Sequence, residues 1–375
     1  MQAVPLSDAG VRAWLAAVLR APAGSVPAVP VDATHAHVLA IAEHEGVTAL
    51  VYERLREVPD AAALQAAFAE SARTHAMRSL WMRAETARLL KALHEAGLRV
   101  LVLKGVALSA WLYPAPHLRA CGDLDLLFAS HAEAQRATDV LEGCGYPHGY
   151  EQGRHAYERV RKPVPGTAYA LEVDVHWRLL NAPVFADALD FEELWSESIA
   201  IAALGAHARG LGPVHALLHA AMNRVVNLYT DVGDLLKCLC DVHLLTVRFE
   251  SADWETMEQT ASERKLCGVV QAALAVAQVQ LGTAIPGKTL AALAQRIPYE
   301  PVNPQQLGDW LYMQRHSIAA LPLGQRLRWV LGRLVPDSGY LRNHYGAGAS
   351  LPVLLLRHWR RLPKRLFPRR SGPQS

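Results

Sequence analysis

Cysteine is scarce in this sequence, and its spacing excludes the usual crosslinked or zinc-bound architectures. There are five cysteines, an odd number, and no pair has the C-x-x-C spacing of a zinc site or redox centre. Cys238 and Cys240 are the nearest pair along the chain. A disulfide framework is therefore not expected, and the thiols are predicted to be reduced and packed in the core.

The sequence also lacks an apolar segment long enough to cross a bilayer. Its longest mostly apolar run, residues 266–281, includes Gln271, Gln278 and Gln280. A membrane-spanning helix needs about 20 predominantly apolar residues. The N-terminal residues do not combine a basic segment with a following apolar one, so no signal peptide is expected. These observations predict a cytoplasmic protein.

Acidic residues are missing from the C-terminal end. The whole chain has 38 Lys and Arg against 35 Asp and Glu, a balance that indicates no particular partner. Residues 338–375 contain no Asp or Glu, but eight Lys or Arg among Leu, Trp and Phe. This tail suits an anionic membrane surface and a membrane-peripheral location, whereas nucleic acid is a less expected partner. The alternative is a flexible solvated tail, since Pro363 and Pro368 are expected to interrupt a long helix.

Apolar periodicity divides the chain into a mixed segment between two helical regions. Hydrophobic residues make up 51% of the sequence and charged residues 19%, which is typical of globular proteins. We predict an α+β protein whose small mixed sheet is flanked by N-terminal and C-terminal helical regions. The predicted parts are an N-terminal helical region (1–96), an α/β core (97–190), a C-terminal helical domain (191–337) and a basic tail (338–375).

Strands and helices alternate within the mixed segment. Runs of β-branched and apolar residues predict the strands, and Pro and Gly punctuate them. The predicted elements are a strand ending at Lys104-Gly105 (98–105), a short helix (106–113), a strand (123–128), a helix (131–146) and two hairpin strands (154–160 and 169–177).

Carboxylates alternate with apolar residues in two of these strands. Successive side chains of a strand point to opposite faces, so Asp123 and Asp125 share one face. Glu172, Asp174 and His176 share a face of the later strand in the same way. If the two strands are neighbours, the acidic groups converge, and a divalent cation such as magnesium relieves their repulsion. The alternative is that Asp123 and Asp125 lie on the solvated face of an edge strand.

The segment AGLRVLVLKGVALSAWLYPAPHLRACGDLDLLF, residues 96–128, resembles a known family signature. An apolar strand, Lys-Gly, a helix ending in Tyr-Pro, an arginine and Asp-x-Asp follow one another. This order is similar to that of the uncharacterised bacterial nucleotidyltransferase family, within the polymerase-β-like superfamily. The strand LEVDVHWRL and the surrounding helices extend the resemblance over roughly residues 35–285.

The resemblance implies a nucleotidyltransferase-type sheet and a magnesium-dependent reaction. Asp123 and Asp125, with Asp174 as the third acid and Glu172 as its substitute, would bind two magnesium ions. The substrate would be a nucleoside triphosphate such as ATP. Its nucleoside monophosphate would pass to a small molecule, peptide or protein acceptor with release of pyrophosphate.

One departure from the superfamily pattern lies in the loop after the first strand. The superfamily has Gly-Ser there, whereas this sequence has Gly105-Val106. Lys104, Gly105 and Arg119 are expected to face the triphosphate, with the two basic side chains supplying charge. Alternatively, Lys104 extends its ammonium into solvent, and Arg119 ties the loop to Asp123. The departure also keeps open a second function, a non-catalytic protein that binds nucleotide or metal on the same fold.

Four histidines are further candidates. His155 and His176 would lie near the metals, and packed, hydrogen-bonded histidines are the alternative. His215 and His219 are four residues apart on a predicted helix. No HExxH motif accompanies them, so a structural role is expected.

Three more aspartates, Asp231, Asp234 and Asp241, lie on or before a predicted helix of the C-terminal region. The resemblance makes Asp241 a candidate general base for an acceptor hydroxyl. Helix capping or an ordinary ion pair is the alternative and the more expected role.

Overall fold

Helices make up most of the described chain and surround one small sheet. The computed structural model describes residues 7–22, 25–30, 33–56, 58, 61–147, 150–152, 157–163, 170–230, 232–336, 338–346 and 348–366. Its strands are β1 (Leu101–Val102), β2 (Asp123–Leu127), β3 (Tyr150–Gln152), β4 (Tyr157–Pro163), β5 (Ala170–His176), β6 (Ile199–Ala200) and β7 (Arg209–Gly210). Its helices are α1 (Asp8–Arg20), α2 (His35–Glu45), α3 (Thr48–Leu55), α4 (Ala62–Glu95), α5 (Lys104–Trp111), α6 (His131–Gly143), α7 (Pro183–Ala186), α8 (Phe191–Ser196), α9 (Pro213–Tyr229), α10 (Leu236–Val247), α11 (Ser251–Glu263), α12 (Cys267–Leu281), α13 (Gly287–Arg296), α14 (Trp310–Ala320), α15 (Leu323–Leu334), α16 (Ser338–Tyr345) and α17 (Leu351–Leu366).

The sheet is mixed, as predicted. Within the described residues its strands lie in the order β3-β4-β5-β2-β1-β7-β6. β2 runs parallel to β5 and antiparallel to β1, and β4 pairs with β5 as an antiparallel neighbour. The predicted pairing of the two hairpin strands, β4 and β5, is therefore confirmed. The Asp-x-Asp strand β2 lies directly beside β5, the second acidic strand.

One face of the sheet is apolar and buried. Leu124 and Leu126 of β2 and Val173 and Val175 of β5 belong to a core that also contains residues of α4 and α6. Because successive strand residues alternate, burying these four side chains turns the acidic residues of both strands to the other face. The leucine and valine pattern thus positions the carboxylates.

A second core joins the helices that precede the sheet to those that follow it. Its buried residues include members of α1 to α4 and of α9 to α14. Polar contacts cross the same boundary: Glu45 accepts a hydrogen bond from the Leu236 N–H at 2.8 Å, and the Arg12 guanidinium donates to the Asp234 carbonyl at 2.6 Å. The predicted division near residues 97 and 191 follows changes of secondary structure, and the packing crosses both positions.

The first strand ends earlier than predicted. β1 covers only Leu101–Val102, and α5 begins at Lys104, two residues before the predicted helix. The Leu103 N–H still donates to the Asp125 carbonyl at 2.9 Å, but Lys104 turns the chain with a φ of +27°. A positive φ is rare for a residue with a side chain, so the surrounding structure imposes this turn.

The C-terminal helix also departs from expectation. The interruption expected at Pro363 is wrong, because α17 runs from Leu351 to Leu366; Pro368 lies outside the described residues. Leu354 and His358 are buried, and the His358 Nδ1 lies 3.1 Å from the Tyr345 hydroxyl. None of the described helices combines the length and apolarity required to cross a bilayer.

Candidate active site

The register of β2 and β5 places acidic residues side by side at the centre of the sheet. Asp123 pairs with Glu172 and Asp125 with Asp174. His176 pairs with Leu127 at the end of the same two strands. The acidic side chains converge, as the sequence suggested, because β2 and β5 are parallel and their register places each acid of β2 directly beside an acid of β5.

Asp125 and Asp174 lie deep in the protein, with only 1% and 3% of their surface exposed. The Lys104 ammonium lies 2.9 Å from Oδ1 of Asp125, and Nε2 of His176 lies 3.1 Å from the same oxygen. The other carboxylate oxygen of Asp125, Oδ2, is buried without a hydrogen-bond partner among the described residues. An unsatisfied buried carboxylate oxygen is a chemically suitable ligand for a cation.

Charge compensation governs the ionisation of this group. Burial alone would lower the pKa of Lys104, but the carboxylates of Asp125, Asp123 and Asp174 outweigh it and hold that pKa above its ordinary value. Burial would raise the pKa of Asp125, and Lys104 and His176 together hold it below the ordinary range. Lys104 and Asp125 are therefore both charged at neutral pH.

A metal ion fits this donor set. One ligand atom from each of Asp125, Asp174 and His176 lies within 4.8 Å of the other two. Carboxylate oxygens are preferred by magnesium, and an added imidazole nitrogen also suits manganese or zinc. Asp123 and Glu172 are half-buried and lie one register pair away, outside this three-residue group. Their predicted role as metal ligands stays a prediction.

Arg119 forms a buried ion pair with Asp241. Its Nε and Nη2 donate to the two carboxylate oxygens of Asp241 at 2.8 and 2.7 Å. The Tyr113 hydroxyl donates to the same carboxylate at 2.8 Å. The carboxylate of Asp241 thus accepts hydrogen bonds from three donors. This arrangement matches the predicted ion-pair role of Asp241 and does not suit a general base. The alternative of an ion pair between Arg119 and Asp123 is therefore wrong, because the partner of Arg119 is Asp241 on α10.

Gly105 allows Arg119 to approach α5 closely. A side chain at this buried position would place its Cβ 3.2 Å from Nη1 of Arg119 and 3.6 Å from the Cys121 sulfur. Nη1 itself donates to the Ala120 carbonyl at 3.4 Å and to the Cys121 sulfur at 3.5 Å. The ion pair therefore leaves only this end of the guanidinium for the triphosphate contact that the resemblance implies, and that contact stays a prediction.

His219 is a site residue that sequence reasoning undervalued. It is 2% exposed, and burial, reinforced by the charge of Lys104, lowers its pKa to about 3. It lines a cavity of about 20 Å³ together with Lys104, Arg119, Asn223 and Asp241. A cavity of this size accommodates roughly one water molecule. The four-residue spacing of His215 and His219 does not indicate this position, because the His215 imidazole lies 3.2 Å from the Glu193 carboxylate.

The remaining candidates lie elsewhere. Asp234 accepts from the Arg224 guanidinium at 2.8 and 2.5 Å, so it forms an ion pair away from the acidic cluster. His155 and Asp231 lie outside the described residues.

Comparison with known proteins assigns the chain to a family. The family described as uncharacterised nucleotidyltransferase matches residues 32–282, a range that contains the whole site and the helices from α2 to α12. The chain therefore belongs to the uncharacterised nucleotidyltransferase family, and the resemblance and the nucleotidyltransferase-type α+β fold are confirmed. Comparisons with curated proteins and with solved structures give no match.

Replacing Asp241 with Asn should strongly destabilise the protein. The Arg119 guanidinium would keep its buried position without a counter-charge, which costs about 3–5 kcal/mol of unfolding free energy. Urea unfolding of Asp241→Asn measures this loss. Glu53→Gln, which removes the carboxylate of the exposed Arg56–Glu53 pair, is the matched control and should change the midpoint little. Equal, small effects of both substitutions would show that the buried pair does not tie α10 to the site loop.

His219 should make the protein less stable as the pH falls. The folded protein keeps His219 neutral to about pH 3, whereas the unfolded chain binds a proton near the ordinary pKa of 6.5. Between about pH 6.5 and pH 3 the unfolding free energy should therefore fall by up to roughly 1.4 kcal/mol per pH unit through this group. His219→Gln should flatten the profile measured by urea unfolding between pH 7 and pH 4, whereas exposed His35→Gln should not. Parallel profiles for wild type and His219→Gln would contradict the assignment.

Proposed function

We propose that this protein transfers a nucleoside monophosphate from a nucleoside triphosphate to an acceptor, with release of pyrophosphate and dependence on divalent cations. The observation that carries the proposal is the buried pair Asp125–Asp174, held in register on adjacent parallel strands beside Lys104. Family membership supports a triphosphate substrate. ATP is the first nucleotide to test, and a small molecule, peptide or protein is the acceptor class.

The roles of the residues follow from their positions. Asp125 and Asp174 would hold two magnesium ions, with Asp123 and Glu172 at the adjoining register pair and His176 beside Asp125. When bound, the ions supply charge that activates the attacking oxygen and stabilises the leaving pyrophosphate.

Lys104 stands at the start of α5, where backbone N–H groups and the helix dipole favour anions. Its ammonium can contact the triphosphate only by sharing or leaving its bond to Asp125. We propose that it does so when substrate enters, and that Nη1 of Arg119 and the backbone at Gly105 complete the phosphate contacts. The cytoplasmic location expected from the sequence stays a prediction.

A non-catalytic nucleotide- or metal-binding protein is the second candidate. Two observations favour it: the Lys104 ammonium already neutralises Asp125, and Asp241 already engages Arg119 in a two-point ion pair. Calorimetry with each triphosphate and magnesium measures binding, and a pyrophosphate assay measures turnover. Binding without pyrophosphate release in the presence of a cell extract would select this candidate.

Asp125→Asn should lower nucleotide transfer by at least about 100-fold, because one preorganised charge of the reacting site is lost. The measurement is mass spectrometry of a cell extract incubated with the protein and labelled triphosphate, which follows both adduct and pyrophosphate. Glu255→Gln, an exposed acid-to-amide change on α11, is the matched control. Circular dichroism verifies the fold of each variant. Unchanged turnover in folded Asp125→Asn would contradict the proposal.

Lys104→Met should strengthen binding of divalent cations. The ammonium and a metal ion compete for the Asp125 carboxylate, so removing the ammonium should raise manganese affinity by at least about tenfold. The same variant should melt at a lower temperature in EDTA, and manganese should restore its melting temperature.

Titration calorimetry measures the affinity, and differential scanning fluorimetry measures the melting temperature. Lys91→Met removes an exposed lysine paired with Glu95 on α4 and is the control. If Lys104→Met bound manganese no more tightly than wild type does, the Lys104 ammonium and the metal ion would not compete for the Asp125 carboxylate.

A further inference from the structure

Helix α15 has an apolar stripe that no described part of the protein covers. Leu323 and Leu327 are 80% and 67% exposed, and Val330, Leu331 and Leu334 are exposed as well. At about 100° per residue, these five positions fall within roughly 100° of the helix circumference. Trp329 lies on another side of the helix and is buried. The stripe is therefore not the side by which α15 packs on the protein.

Helix α17 extends this surface. Val353, Leu356 and Trp359 are exposed large side chains on one side of the helix, and Leu354 and His358 are buried on the other. The Trp359 indole N–H donates to the Leu334 carbonyl at 2.6 Å, which joins α17 to the end of α15. Of the 17 exposed large hydrophobic residues in the described chain, ten lie between residues 323 and 359. We call the exposed apolar residues of these two helices the α15–α17 face.

The segment that carries this face is strongly basic. Residues 310–375 contain twelve Lys or Arg and a single acidic residue, Asp337. Arg328 and Arg360 are exposed on the same two helices and lie next to the apolar stripes by helical position. The α15–α17 face thus combines an exposed apolar surface with flanking positive charge.

We propose that the α15–α17 face binds the surface of an anionic lipid bilayer. Amphipathic helices with Leu and Trp on one side and Lys or Arg beside them lie in the plane of the membrane interface. At about 1.5 Å per residue, the 16-residue α17 is shorter than a hydrocarbon core of about 30 Å, so this is surface binding. The face lies outside the residues that match the family, and it does not depend on the nucleotide site.

Charge argues for lipid over the other occupants of such a face. A second copy of the chain would bring two strongly basic surfaces together, and their repulsion opposes a dimer at moderate salt. Nucleic acid would neutralise the arginines but would leave the leucine stripe of α15 in water. An anionic bilayer satisfies both features, because acyl chains accept the apolar residues and headgroups attract the arginines.

Co-sedimentation of the full chain with vesicles tests the apolar part. Wild type should bind phosphatidylcholine vesicles that contain phosphatidylserine. Leu327→Gln combined with Leu331→Gln should lower the partition coefficient by at least about tenfold. The matched control is Val247→Gln with Val279→Gln, two exposed apolar residues of α10 and α12, which should bind as wild type does. Thermal unfolding verifies that both double variants fold.

A second arm tests the charge. Arg328→Gln and Arg360→Gln should each weaken binding to the phosphatidylserine vesicles about fivefold, and added salt should do the same. Equal sedimentation of wild type and the double leucine variant would overturn the proposal, and so would equal binding to vesicles without phosphatidylserine. Sedimentation velocity and binding to labelled RNA are run in parallel. A dimer or an RNA complex that the leucine substitutions abolish, in place of vesicle binding, would assign the face to that partner.

Discussion

Two buried carboxylates at adjacent positions of parallel strands impose the main constraint on this structure. Asp125 and Asp174 lie in register and away from water, so their charges require compensation from cations. Lys104 supplies one positive charge, which holds the carboxyl group of Asp125 ionised. The leucine and valine core on the other face fixes the direction of both acids, and the left-handed turn at Lys104 brings its ammonium to them. A bound cation would neutralise the same buried carboxylate charge that the Lys104 ammonium neutralises.

The sequence was sufficient to predict the acidic pair, because a strand's two-residue period assigns faces without knowledge of the rest of the fold. The alternation at Asp123-Leu124-Asp125 and along residues 171–176 needed only the assumption that the strands are neighbours. The two-residue period did not predict where the first strand ends. Leucine and valine residues run up to Lys104, and the turn there comes from tertiary contacts that local propensity does not encode. Pro363 shows the same limit, since the proline rule did not predict that α17 continues to Leu366.

Contacts between distant parts of the chain were the least predictable. Arg119 and Asp241 are 122 residues apart, and no spacing rule connects them. The sequence offered Arg119 as a phosphate ligand and indicated an ion pair as a more expected role of Asp241 than that of a base, but it did not identify the two residues as partners. His219 belongs to the site because α9 packs beside Lys104, which helical periodicity alone does not show. The amphipathic pattern of α15 is likewise compatible with a packed helix face and with an exposed one.

A crystal structure with manganese and a non-hydrolysable nucleoside triphosphate would show whether the buried acidic pair holds a metal ion, because anomalous scattering identifies the metal position without reference to activity. We expect an anomalous peak between the carboxylates of Asp125 and Asp174, with the triphosphate at the start of α5 and the Lys104 ammonium shifted toward it. A structure with bound nucleotide, no peak at those carboxylates and the Lys104–Asp125 bond intact would contradict this expectation.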